Sequence, residues 1–225
     1  MSVKTSLGNM TRICKDGTLH NVYKIWWYGR FWLNTDPRSL ILDFNNTYNQ
    51  AYTINISVNG SVTGIYLDGT QIYTTSISIP TGVHRVNIIG SNLTINQLSG
   101  NEMKACLTNV QFPANTILQT NAFKGCTALQ KVTIISSMTT LYDRVFEGCT
   151  SLTDVYFYPS TTTRTCTSYN NSWFYGCNQN CRLHVRDTFS TSTAQSTFGA
   201  WWDAYAGTSN LTRKRLDVIN DIHDY

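Results

Sequence analysis

The sequence predicts a mainly β protein: an N-terminal β-hairpin or β-sandwich domain, then a short solenoid, then a C-terminal helical cap. Three observations carry this. The stretches FKGCTALQKVTI from Phe123 and FEGCTSLTDVYF from Phe146 write one pattern twice. Upstream of residue 100, alternating apolar positions are punctuated by Asn-Gly and Asp-Gly. Downstream, TFGAWWDAYAG places Trp201, Trp202 and Tyr205 in a short aromatic run after a polar stretch.

Residues 1–40 form the first predicted unit, an aromatic-rich β segment. Asp16-Gly17 and Tyr28-Gly29 sit between strand-like runs, and Trp26, Trp27, Tyr28, Phe31 and Trp32 crowd seven positions. Side chains alternate faces along a strand, so some of these rings point away from any one small core. Either both faces are covered within the monomer, or one is an assembly surface of the kind enriched in Trp and Tyr. The five aromatics are the candidate assembly interface.

Residues 41–100 predict a small β-sandwich-like domain. Tyr52, Ile54, Ile56 and Val58 alternate, with turns expected at Asn59-Gly60 and Asp68-Gly69, because type I′ hairpins need positive φ at both centres. A further strand is expected over Val83 to Ile89, with SNLTINQLSGN leading out of the domain.

Residues 101–187 are the repeats. FYGCNQNCRLHV from Phe174 is a weaker copy, and CLTNVQF aligns Leu107, Val110 and Phe112 with Leu129, Val132 and Ile134. Self-similarity at this spacing signals a solenoid of units too small to bury an apolar face alone. About three units are read. Stacking sets Val132 over Val155 and Leu183, and Ile134 over Phe157 and Val185, with Phe123, Phe146 and Phe174 on the opposite wall. Each Gly permits a tight corner, and each following Cys fills a small buried slot, since free Cys packs as a compact apolar residue. Short arrays need caps at both ends. The cap and tail are assigned to residues 188–225.

The repeat pattern, carried by NAFKGCTALQKVTI and VFEGCTSLTDVYFYP, resembles the BspA-like leucine-rich repeat over roughly residues 107–185. The resemblance implies a leucine-rich-repeat solenoid and, at its end, a last strand followed by an aromatic-bearing capping helix. A second, shorter resemblance links IYLDGTQIYTTSISIPTGVHRVNI to the PEGA-type β-domain, which implies a spacer or binding module.

Composition narrows the function. Charged residues are 13% of the chain and net charge is +4, with the basic residues scattered except for Arg213-Lys214-Arg215. A nucleic-acid binder concentrates them on one face, so no nucleic-acid partner is expected and the triplet reads as a solvated helix face. No apolar run reaches the length of a membrane span, and the start lacks the apolar core of a signal peptide. Neither membrane insertion nor a classical export address is expected.

Seven cysteines cannot all pair within one chain. Free thiols are the default, with a local Cys166–Cys181 or Cys177–Cys181 bond as the alternative. Cys177, Cys181 and His184, with Cys166 upstream, lack the usual zinc knuckle, so no metal is expected. His20, His84, His184 and His223 fall in separate elements, and Asp143 and Glu147 lie on one turn. No nucleophile with a base and an orienting group emerges. The expectation is therefore no enzyme, no catalytic residues and no cofactor.

Two functions follow. The first is a bacteriophage virion structural protein of a tail, fibre or head appendage. It would bind other virion proteins, form a homo-oligomer through the N-terminal β region, and display the repeats toward a host cell-surface protein or glycan. The displayed face would carry Lys131, Thr133, Asp154, Tyr156, Arg182 and His184. The alternative is a bacterial cell-surface or secreted adhesin or protein-interaction module.

Overall fold

The computed structural model describes residues 24–27, 30–33, 39–113, 115–134, 140–157, 174–178, 180–186 and 217–222. These are mainly β, in fifteen strands with one four-residue helix. The described chain opens with an antiparallel ribbon, β1 (Lys24–Trp27) and β2 (Arg30–Leu33), with Ile25 opposite Trp32 and Trp26 opposite Phe31. The predicted Tyr28-Gly29 turn lies between them, outside the described residues.

Six strands follow: β3 (Ser39–Asn46), β4 (Tyr52–Asn55), β5 (Val58–Leu67), β6 (Thr70–Ile72), β7 (Ser76–Ile79) and β8 (Gly82–Ile95). The turn predicted at Asp68-Gly69 joins β5 to β6, with φ of 53° and 83°. Asn59-Gly60 is a correction. It lies inside β5, where pairing with β8 slips between Asn59 and Ser61. A Cβ on Gly60 would stand 2.5 Å from the Asn92 carbonyl oxygen. A bulge with close backbone approach and a tight turn both call for glycine at positive φ, so one dipeptide fits either. In consequence β4 pairs with β7, not with β5. The expected Val83–Ile89 strand also runs on to Ile95, taking up the start of the predicted connection.

The helix α1 (Asn101–Lys104) precedes the repeats. Their main wall is a parallel ladder of β9 (Leu107–Phe112), β11 (Lys131–Ile134), β13 (Asp154–Phe157), β14 (Arg182–Arg186) and β15 (Asp217–Ile222). The register sets Val110, Val132, Val155 and Leu183 in one line, and Phe112, Ile134, Phe157 and Val185 in another, as the repeat alignment predicts. The ladder has five strands where the sequence suggested about three units, because β9 and β15 join it without a full copy of the motif. A shorter parallel wall joins β10 (Ile117–Leu118) to β12 (Thr140–Leu141).

The preceding strands cap the solenoid. β3 pairs antiparallel with β9 on one edge and with β8 on the other, and the end of β8 pairs parallel with β10. The Leu98 N–H reaches the Ala122 carbonyl at 3.0 Å on the third wall. One contiguous core accordingly runs from Leu40, Leu42 and Phe44, with Ile54, Ile77 and Ile79, into Phe112, Phe123 and Phe146. At the other end, the expected helix with Trp201, Trp202 and Tyr205 lies outside the described residues, as does Arg213-Lys214-Arg215.

The third wall explains the motif. Phe123, Phe146 and Phe174 form a stack with ring centroids 5.7 and 5.5 Å apart. Gly125, Gly148 and Gly176 turn the chain at φ of 74°, 73° and 68°, a region where glycine pays no steric cost. The cysteines follow in the interior. Cys149 Sγ donates to the Phe123 carbonyl at 3.3 Å, and Cys177 Sγ to that of Phe146 at 3.0 Å. Each thiol thus ties its rung to the one before.

Candidate functional site

The repeat strands present two polar rows on the face opposite the core. Strand alternation puts every second residue there, and the parallel register lines them up: Asn109, Lys131, Asp154 and Arg182 in one row, Gln111, Thr133, Tyr156 and His184 in the next. The six predicted display residues therefore form one contiguous patch on β11, β13 and β14. Asn109 and Gln111 continue the two rows onto β9, where both are half-buried. They were not singled out, although CLTNVQF already aligned them with Lys131 and Thr133.

The patch is internally cross-linked. His184 Nε2 hydrogen-bonds Asp154 Oδ1 at 2.6 Å, and Arg182 Nη2 reaches the same oxygen at 2.9 Å. The His184 ring stacks on Tyr156 at 4.2 Å and 7°. Lys131 Nζ sits 4.4 Å from the Tyr156 ring centre. Because β13 lies between β11 and β14, the tyrosine ring is held from both sides. A sugar-stacking platform needs an open ring face, so this tyrosine acts as a rigid post. Side-chain order of this kind lowers the entropy a partner must remove on docking.

One member departs from expectation. His184 is 4% exposed and so is not a display residue. The Tyr156 ring and the Asp154 carboxylate cover it, and the backbone of β15 runs alongside with Ile219 at its register position. Repeat alignment could not show this, because the strand that flanks β14, β15, carries no copy of the motif. Lys131 and Arg182 are exposed, and Thr133, Asp154 and Tyr156 are half-buried.

The electrostatics follow from these contacts. Desolvation pulls the Asp154 carboxyl upward, but hydrogen bonds from His184 and Thr153 and the charges of Arg182 and His184 outweigh it, and its pKa falls below the ordinary 3.8. A carboxyl held low in the folded state adds stability above its unfolded pKa, and that stability is lost as pH falls through the folded value. Asp154→Asn is thus expected to destabilise at neutral pH, with the gap from the parent closing as pH drops below the usual carboxylate range. Denaturation midpoints across that range check it; a gap that stays constant into strong acid would show that the charge is not what matters.

Elsewhere, titratable groups serve structure. Glu147 Oε1 pairs with Lys124 Nζ at 3.0 Å, across the turn where Asp143 accepts the Asn121 N–H through its carbonyl. His84 Nδ1 bonds Asp68 Oδ2 at 2.6 Å, fastening the β5–β6 turn to β8. Burial pushes the Cys126 thiol up to about 12 and the Cys149 thiol up as well, the latter through its Cys177 neighbour and its own burial. Such thiols are poor nucleophiles. Cys106, Cys126, Cys149 and Cys177 are buried free thiols and Cys181 is buried, whereas Cys14 and Cys166 lie outside the described residues. Among the described residues, no three His, Cys, Asp or Glu side chains converge on a point that could hold a metal ion, and no helix is long and apolar enough to cross a membrane. Of the predicted aromatic interface, Trp26, Trp27, Phe31 and Trp32 fall on β1 and β2, and Tyr28 lies outside the described residues.

No curated protein and no solved structure gives a significant match to the chain. Residues 100–200 do match a family model, described as BspA type Leucine rich repeat region, in six copies. The matched span takes in the described ladder from β9 to β14, and these rungs are similar to BspA-type leucine-rich repeats.

Proposed function

We propose that this protein is a non-catalytic interaction module that binds a partner protein through the outward face of its repeat ladder, as a surface or secreted bacterial protein would. The observation that supports it most is the cross-linked patch on β11, β13 and β14. It is a polar surface fixed by its own contacts, with Lys131 and Arg182 presented to solvent and Asp154 in register between them. The matched family is one of interaction repeats, and leucine-rich repeats stack into extended binding surfaces. The two exposed cations stand two strands apart on the ladder, so they suit a partner with carboxylates about 9.6 Å apart, twice the strand spacing.

The test is a pair of surface substitutions, Lys131→Gln and Arg182→Gln, in binding assays against a panel of cell-surface proteins. Stability should change by no more than about 1 kcal/mol per site, the range for exposed ion pairs. Affinity for the cognate partner should fall roughly tenfold or more, as for the loss of a charged contact of about 1.4 kcal/mol or more. Undiminished binding by the double variant would remove this face from the function. The virion reading, with its tail or fibre position, draws no support from the fold or from the matched repeat. Capsid and portal genes beside this one would be the observation in its favour.

A further inference from the structure

The outer face of β3 is buried, and nothing in the core accounts for it. Leu40, Leu42 and Phe44 point into the core, so Ser39, Ile41 and Asp43 point the other way. An uncovered sheet face leaves such positions exposed, as Lys131 and Arg182 are further along the same sheet. Instead Ser39 is 0% exposed, Ile41 4%, and Asn87, the β8 partner of Ile41, 5%. Ile41 also stands outside the contiguous core that holds both its neighbours, Leu40 and Leu42. In register on this face lie Tyr66, Asn87, Ile41 and Gln111, from β5, β8, β3 and β9. Ser39 Oγ, Asn87 Oδ1 and Gln111 Nε2 are buried here without a protein hydrogen-bond partner. A layer of largely apolar chemistry, which excludes water and supplies few polar groups, covers a face in this way.

The chain itself supplies such a layer. β2 ends at Leu33 and β3 starts at Ser39, and a link of residues 34–38 spans at most about 20 Å. The ribbon β1–β2 therefore stays beside β3. The inner face of β3 is already filled by the core, in which Ile54 and Ile77 of β4 and β7 take part, which leaves the outer face. The ribbon reads KIWW and RFWL, and an isolated two-stranded ribbon is marginal in water unless it packs on something. The face is buried by a layer that the core does not supply, and the ribbon needs a support.

We infer that the aromatic ribbon β1–β2 docks across the outer face of β8–β3–β9 in its own chain and covers Ile41. Of the two destinations open to Trp26, Trp27, Phe31 and Trp32, this is the one within the monomer. The outer face of the long sheet then has two parts: one closed by the ribbon, the other left open for partners from β11 onward.

The test places the photoreactive residue p-benzoylphenylalanine on either side of Ile41, as Gln111→p-benzoylphenylalanine and separately as Tyr66→p-benzoylphenylalanine. The second is close in shape to the native side chain and keeps the result readable if the first perturbs folding. Irradiation of the dilute full chain is expected to give a product of monomer mass, whose cross-linked peptide contains residues 24–33. A product of twice the mass, joined through the same ribbon, would assign the cover to a second copy and overturn docking within the chain. Cross-links confined to other segments, or none from either probe in folded protein, would overturn the ribbon as the occupant.

Discussion

Phe146→Ala is expected to cost about 3–5 kcal/mol, the range for deleting a buried aromatic ring. Phe146 is 1% exposed and sits in the middle of the third wall. Phe123 stacks on one side at 5.7 Å and Phe174 on the other at 5.5 Å, with Phe112 6.3 Å away. Backbone ties above and below this rung hold the space open: Phe123 N–H donates to the Val145 carbonyl, and Gly148 N–H to that of Tyr175. The walls therefore relax little into the void, which keeps the cost near the upper end. Solenoid stability is roughly a sum of rung and nearest-neighbour terms, so the loss falls on two interfaces at once. Phe174→Ala, at a position 7% exposed against 1% for Phe146, should cost less. Chemical denaturation of both variants checks the order; a Phe146→Ala loss below that of Phe174→Ala would contradict the stacked-wall account.

Asp43→Ala is expected to cost about 3–5 kcal/mol, for an electrostatic reason. Asp43 Oδ1 and Oδ2 grip Arg85 Nε and Nη2 at 2.6 and 2.9 Å, and the two side chains are only 6% and 15% exposed. Asn109 adds a longer contact at 3.4 Å from β9. Removing the carboxylate takes two charge-assisted hydrogen bonds from a guanidinium that is only 15% exposed, and breaking one side of such a pair costs more than the pair itself is worth. The double variant Asp43→Leu/Arg85→Met should recover much of the loss, because it removes both charges together. If the single variant costs under about 1 kcal/mol, the pair is behaving as a solvent-screened surface bridge.

These two sites differ in how far the sequence reveals them. Phe146 belongs to a repeated motif, and repetition converts spacing into register. Once Phe123 and Phe146 align, Val132 over Val155 and Ile134 over Phe157 follow, because parallel rungs of similar length leave little other pairing that keeps one face buried. The register of Lys131, Asp154 and Arg182, and of Thr133, Tyr156 and His184, was legible for the same reason. The Asp43–Arg85 pair was not, since it joins β3 to β8 across a long connection and neither residue lies in a motif. The Asn59-Gly60 bulge failed for a different reason: a glycine at positive φ serves a turn and a close backbone approach equally, and only the partner strand decides between them.

By itself the sequence determined the mainly β class, the solenoid, its stacking register and the buried role of the repeat cysteines Cys126, Cys149 and Cys177. All of these are local or periodic, and periodicity is readable without knowing what lies across the sheet. The tertiary structure alone decided that β3 and the end of β8 cap the first rung, that β15 extends the ladder, and that His184 is covered while Lys131 and Arg182 are not. Those outcomes depend on which strand edges meet, and edge hydrogen bonds are made by backbone groups that every residue carries alike.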